Sequence, residues 1–138
     1  MASRRLPSVM CLGLALLAGC TVGIKDGGPS PSKTIVVPES YQEVYRRADA
    51  YARACWGTPK ALVRGAWPVT GNIYTDTQTA VLRVGGDGQT GDLERFEIRQ
   101  LRSGTEVTIT VWGRGIVFDE DELERAARAI GGADVACR

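Results

Sequence analysis

The spacing of apolar residues changes period several times along this chain. In ESYQEVYRRADAYARACWGTP, the residues Tyr41, Val44, Tyr45, Ala48, Ala52 and Cys55 recur at helical spacing. That predicts one face of an amphipathic helix. Ser40 and Glu43 have the spacing of a capping box, and Gly57 and Pro59 stop the helix. Arg46, Arg47 and Arg53 fall off the apolar stripe and read as a solvated face.

The middle of the chain then reads with a period of two. In RFEIR, Phe96 and Ile98 point one way and Arg95, Glu97 and Arg99 the other. In EVTITVW, Val107, Ile109 and Val111 share one face, while Thr108, Thr110 and Trp112 share the opposite one. Such alternation predicts strands with one face on a core and one face in water. RSG between these two runs is a hairpin turn signal. ALVRGAWPV and TAVLRV read as two further short strands, with NIYTD weaker between them. TIVVP reads only as a short extended segment stopped by Pro38, and Gly113 with Gly115 marks a bulge or a strand end.

Helical spacing returns at Leu123, Ala126, Ala127 and Ile130, with Asp119 and Glu122 placed as a second capping box. Acidic residues occupy its first turn, Arg125 and Arg128 lie later, and Gly131 and Gly132 end it. The expected fold is therefore α+β: a two-layer sandwich. In it an antiparallel sheet of about four strands carries an N-terminal and a C-terminal helix on one face.

The start of the chain follows other rules. Arg4 and Arg5 form a basic head, and the run from Val9 to Ala18 is uncharged. That run is too short to cross a hydrocarbon core of roughly 30 Å as a helix. A basic head, a short apolar middle and a small-residue exit form a secretory signal. The exit, Leu17-Ala18-Gly19-Cys20, resembles the lipobox of bacterial lipoproteins. The resemblance covers the first 20 residues and implies cleavage before Cys20, whose thiol then carries a diacylglycerol. It implies residues 1–19 as a cleaved signal peptide and a palmitate-type anchor on Cys20. Thr21, rather than aspartate, after that cysteine leans toward the outer membrane, facing the periplasm. More than one acyl chain is needed for a stable anchor.

Glycine, proline and serine dominate the next stretch, so residues 20–34 read as the acylated cysteine and a flexible tether, and 35–138 as one domain. A flexible tether of this length has ends on the order of 20 Å apart.

Composition narrows the picture further. Removing Arg4 and Arg5 takes the formal net charge from +1 to −1, without the basic footprint of a nucleic-acid binder. Of the four cysteines, Cys11 leaves with the signal and Cys20 is acylated, which leaves Cys55 and Cys137. In an oxidising compartment these two form a disulfide. It closes a loop of about 83 residues, for which loop entropy allows roughly 4–5 kcal/mol.

The chain contains no histidine, which removes the commonest general base and metal ligand. The acids from Asp119 to Glu124 are accounted for by a helix start. Gly86-Asp87-Gly88-Gln89-Thr90-Gly91 matches the dinucleotide glycine pattern, but a strand rather than a helix follows it, so it reads as a hairpin loop. Asp87 and Asp92 lack the ligand order of a calcium loop. No catalytic residue, cofactor or metal is expected.

The function expected from these features is non-catalytic: a structural or protein-interaction component of the cell envelope. It would be held to the membrane through Cys20 and bind an envelope protein. Trp112, with Thr108 and Thr110, is the candidate contact patch. The alternative is a carrier or sensor of a small apolar ligand such as a lipid, suggested by aromatic residues and by Ala48, Ala52, Ala126 and Ala127 on the apparent inner faces.

Overall fold

The computed structural model describes residues 22–24, 26–57, 66–86, 91–113 and 119–137. Its elements are β1 (Ser32–Val37), α1 (Tyr41–Cys55), β2 (Val69–Tyr74), β3 (Thr79–Gly85), β4 (Asp92–Leu101), β5 (Gly104–Val111) and α2 (Asp119–Ile130). The strands form one antiparallel sheet in the order β1-β5-β4-β3-β2. Among the described residues the architecture is α+β, with one five-stranded antiparallel sheet and two helices.

The sheet differs from the expected four strands at both edges. TIVVP lies in β1, where Ile35 stands opposite Val107 and Val37 opposite Thr105. Pairing with β5 supplies the regularity that its own short pattern lacks. The strand starts at Ser32, inside the stretch whose composition reads as tether. At the other edge, β2 is built from VTGNIY, the segment with the weaker signal. Ala66 to Pro68 are not strand, and the preceding residues 61–65 of the ALVRG run lie outside the described residues. From Thr70 to Tyr74 every β2 residue is exposed, so no buried face imposes alternation there.

Both helices cover the same sheet face. α1 lies across β2 to β5 and against α2, while α2 lies over β5 and β1. The predicted stripes supply the contacts: Val44, Ala48 and Ala52 of α1 and Ala126 and Ile130 of α2 are fully buried. They meet Leu82, Val84, Phe96, Ile98, Val107 and Ile109 from the sheet. Tyr51 joins this core, its ring 6.5 Å from Phe96 at 81° in an edge-to-face contact. Each large side chain buried in this way contributes about 1.5–3 kcal/mol before ordering costs.

Polar contacts fix how α1 enters. The Glu43 N–H donates to Ser40 Oγ at 3.3 Å, one half of the expected capping box. The Tyr41 N–H donates to Gln100 Oε1 at 2.9 Å, and Gln100 Nε2 donates to the Gly104 carbonyl at 2.7 Å. Thr105 Oγ1 donates to the Glu39 carbonyl at 2.7 Å. The β4–β5 hairpin is thereby bonded to the start of α1. Gly104 has φ +130, and a Cβ there would lie 2.3 Å from the Val37 carbonyl oxygen, so only glycine fits the turn. Arg47 is less free than its off-stripe position suggests. It pairs with Glu39 and Glu43, each at 3.0 Å, and donates to the Ile130 carbonyl at the end of α2.

Cys55, at the end of α1, is bonded to Cys137 across a sequence separation of 82, with Cα atoms 5.0 Å apart. The bridge ties the segment after α2 back along α1. Among the described residues no helix is long and apolar enough to cross a membrane.

Candidate functional site

Two places combine unusual side chains: the open face of the sheet, and a buried acidic cluster between β4 and the helices. On the open face, register aligns Thr34, Thr108, Glu97 and Val81 in one row, and Ser32, Thr110, Arg95 and Arg83 in the next. Thr34 and Thr108 hydroxyls are 3.1 Å apart. The arginines are paired: Arg99 with Glu106 at 2.7 Å, Arg95 with Asp26 at 2.8 Å, and Arg83 with Asp92 at 3.4 Å. Thr108 and Thr110 are half-buried on β5, as alternation requires. Trp112 lies one residue beyond β5, half-buried, with its N–H donating to the Leu93 carbonyl at 2.8 Å. Thr108, Thr110 and Trp112 thus follow one another at every second position toward the end of β5.

The buried cluster was not singled out from the sequence. Glu94 is completely buried on the inner face of β4. Its Oε2 accepts from Trp56 Nε1 at 2.7 Å, and its buried Oε1 has no hydrogen-bond partner among the described residues. Beside it, Glu122 of α2 accepts from the Tyr51 hydroxyl at 2.5 Å and from Arg125 Nη1 at 2.9 Å. Burial pushes the Glu94 carboxyl well above the usual carboxylate range, and the nearby Glu122 adds to this; the Trp56 bond and Arg125 oppose it. The Tyr51 phenol is also raised, by burial first and then by the charges of Glu94 and Glu122.

Glu122, which the spacing assigns to a capping box, has its Oε1 bonded to Tyr51 and its Oε2 to Arg125. It stands four residues before Ala126 and eight before Ile130, on the buried stripe, so its carboxylate turns inward to Tyr51 and Arg125. Chemically, the cluster brings together a buried carboxyl group that holds its proton more tightly than usual, a second carboxyl group bonded to Arg125, and a phenol. Complete burial of Glu94 keeps substrates away from it in this conformation. What the arrangement can do is hold a proton inside the fold.

Both acids had a signal in the sequence. Glu94 has the parity of Phe96 and Ile98, and Glu122 has the phase of Ala126 and Ile130. Extending either pattern by one step would have placed a carboxylate in the core. Tyr51 likewise follows Val44 and Ala48 at helical spacing.

The remaining candidate positions divide cleanly. Cys55 and Cys137 are brought together, beside a groove of about 390 Å³ that Arg46, Ala54 and Val135 also line. Cys20 and the signal segment lie outside the described residues, as does the interior of the glycine-rich loop, 87–90. Among the described residues no three acidic, cysteine or histidine side chains are grouped to hold a metal ion. No protein-family model matches this chain, and no curated protein resembles it at a significant level.

Proposed function

We propose that this chain is a lipid-anchored component of the bacterial cell envelope, with a non-catalytic domain that serves as a structural or protein-interaction module. The observation that carries the address is the juxtaposition of Cys55 and Cys137 from 82 residues apart. These are the two cysteines that remain once a lipobox signal is removed and Cys20 is acylated. A bridge between them suits an oxidising compartment, which is where the signal would send the chain.

The interaction role rests on the sidedness of the sheet. Both helices cover one face, and the other presents ordered rows of threonine, arginine and glutamate. Such a surface suits a polar protein partner, with arginine as the strongest contact type. A carrier role has less support: Ala48, Ala52 and Ala126 are fully buried in the helix–sheet contact, where small side chains allow close packing. The non-catalytic reading is supported by the lack of histidine and by the burial of the acidic pair.

The test is site-specific photo-cross-linking in intact cells, with the cross-linker at Thr108 or Glu97 and a control at Arg128 on α2. One discrete adduct from the sheet positions and none from Arg128 is the expected result. Equal, diffuse adducts from all three positions would remove the docking face from the proposal.

A further inference from the structure

The chain has three tryptophans, and all lie at one end of the sheet. Because the strands are antiparallel, that end gathers the starts of β1, β2 and β4 and the finishes of β3 and β5. Trp56 follows α1 and reaches Glu94, near the start of β4. Trp67 precedes β2, and its backbone N–H donates to the Trp56 carbonyl at 2.9 Å. Trp112 follows β5 and is bonded to Leu93. Each is partly exposed.

The same end receives the chain from Cys20. The Gly91 N–H donates to the Val22 carbonyl, and the Ile24 N–H donates to the Asp92 carbonyl, both at 2.7 Å. Gly23 has φ +125, and a Cβ on it would lie 2.4 Å from Gly91 Cα, so this close backbone approach requires glycine. Val22 is two residues from Cys20, at most about 7 Å of extended chain.

We infer that this end of the sheet rests against the bilayer that holds the anchor, with Trp56, Trp67 and Trp112 at the level of the lipid headgroups. The inference rests on the reading that Cys20 carries the lipid. Tryptophan suits that zone because its ring is apolar and its N–H is polar. The contact need not be strong by itself: a short link to an embedded anchor makes it intramolecular, at an effective concentration in the millimolar range. The described charges nearest the docked segment are paired, Asp26 with Arg95 and Asp92 with Arg83. The opposite end, with the Arg102–Ser103 turn and the start of α1, points away from the bilayer, and the open sheet face is left sideways to it.

The experiment uses the full acylated protein in phosphatidylcholine vesicles, with lipids brominated high on the acyl chain as quenchers of tryptophan emission. Intact mass first reports whether Cys20 is acylated. Loss of emission in brominated vesicles relative to unbrominated ones is the expected result. Acylated, vesicle-bound protein with unchanged emission would overturn the orientation and leave the anchor standing. An unmodified Cys20 would remove the lipoprotein reading and the orientation with it. Gly23→Ala, which displaces the docked segment without touching the core, is expected to lose most of the quenching while remaining vesicle-bound. Quenching equal to that of the unaltered protein would overturn the part assigned to this segment.

Discussion

Trp56 donates its indole N–H to Glu94 at 2.7 Å, so the end of α1 is hydrogen-bonded to a carboxyl group that makes no ion pair among the described residues. Tyr51, Glu122 and Arg125 are the ionisable groups around it. The Glu94 pKa is raised in the folded chain, so the folded protein keeps this proton to higher pH than the unfolded one. Its contribution is fully present below the unfolded pKa, near 4.3, and declines as pH rises through the folded value. Glu94→Gln keeps an acceptor for Trp56 and removes the titration. The gap in urea midpoint between Glu94→Gln and the unaltered protein should widen in favour of the variant above pH 5. Its growth should be on the order of 1 kcal/mol per pH unit at most. A gap that stays constant from pH 4 to pH 8 would show that Glu94 titrates alike in both states.

Tyr51→Phe removes a hydrogen bond to a carboxylate and little volume. The expected cost is about 1.5–3 kcal/mol, seen as a lower urea midpoint with an unchanged slope. A cost near zero would mean that Arg125 alone satisfies Glu122.

Reduction of the Cys55–Cys137 bridge should lower stability by about 2–4 kcal/mol, below the full loop-entropy value. The double variant Cys55→Ser/Cys137→Ser should unfold at the same denaturant concentration as the reduced protein. Identical midpoints for oxidised and reduced protein would show that the bridge does not constrain the unfolded chain.

Gly104→Ala forces a side chain onto positive φ and against the Val37 carbonyl. The strain should cost about 1–3 kcal/mol, measured as a drop in melting temperature. Ser103→Ala, one residue earlier on the exposed turn, serves as the near-neutral control.

Much of this fold is legible in the sequence where one face is buried and the other wet. Helix α1, strands β3 to β5 and the phase of α2 all follow from such sidedness. The edges are less legible because sidedness fails there: β2 is exposed along most of its length, and β1 takes its register from β5. The acidic cluster was hidden for another reason. Glu94 and Glu122 occupy apolar phases with charged side chains, and a pattern built on apolar residues stops where a carboxylate appears. Glu94 is accommodated by Trp56 and by a carboxyl that burial raises above the usual range, and Glu122 by Tyr51 and Arg125. Trp56 and Tyr51 stand far away in the sequence, so local spacing carries no trace of them, whereas Arg125 stands one turn from Glu122 in α2.

The strand order also orders assembly in time. β2 to β5 are neighbours in both sequence and space, so each can pair soon after the one before it. β1 pairs only with β5, and Ser32 meets Thr110 across α1 and three intervening strands. Contacts of such long separation form slowly, because the loop they close must first be ordered. β1 is therefore expected to pair last, onto a sheet whose other four strands are already paired. The residues just upstream of it, which lead back to Cys20, are drawn onto the domain at that last step. Until then the assembling core trails a longer free segment at its start than the folded domain does.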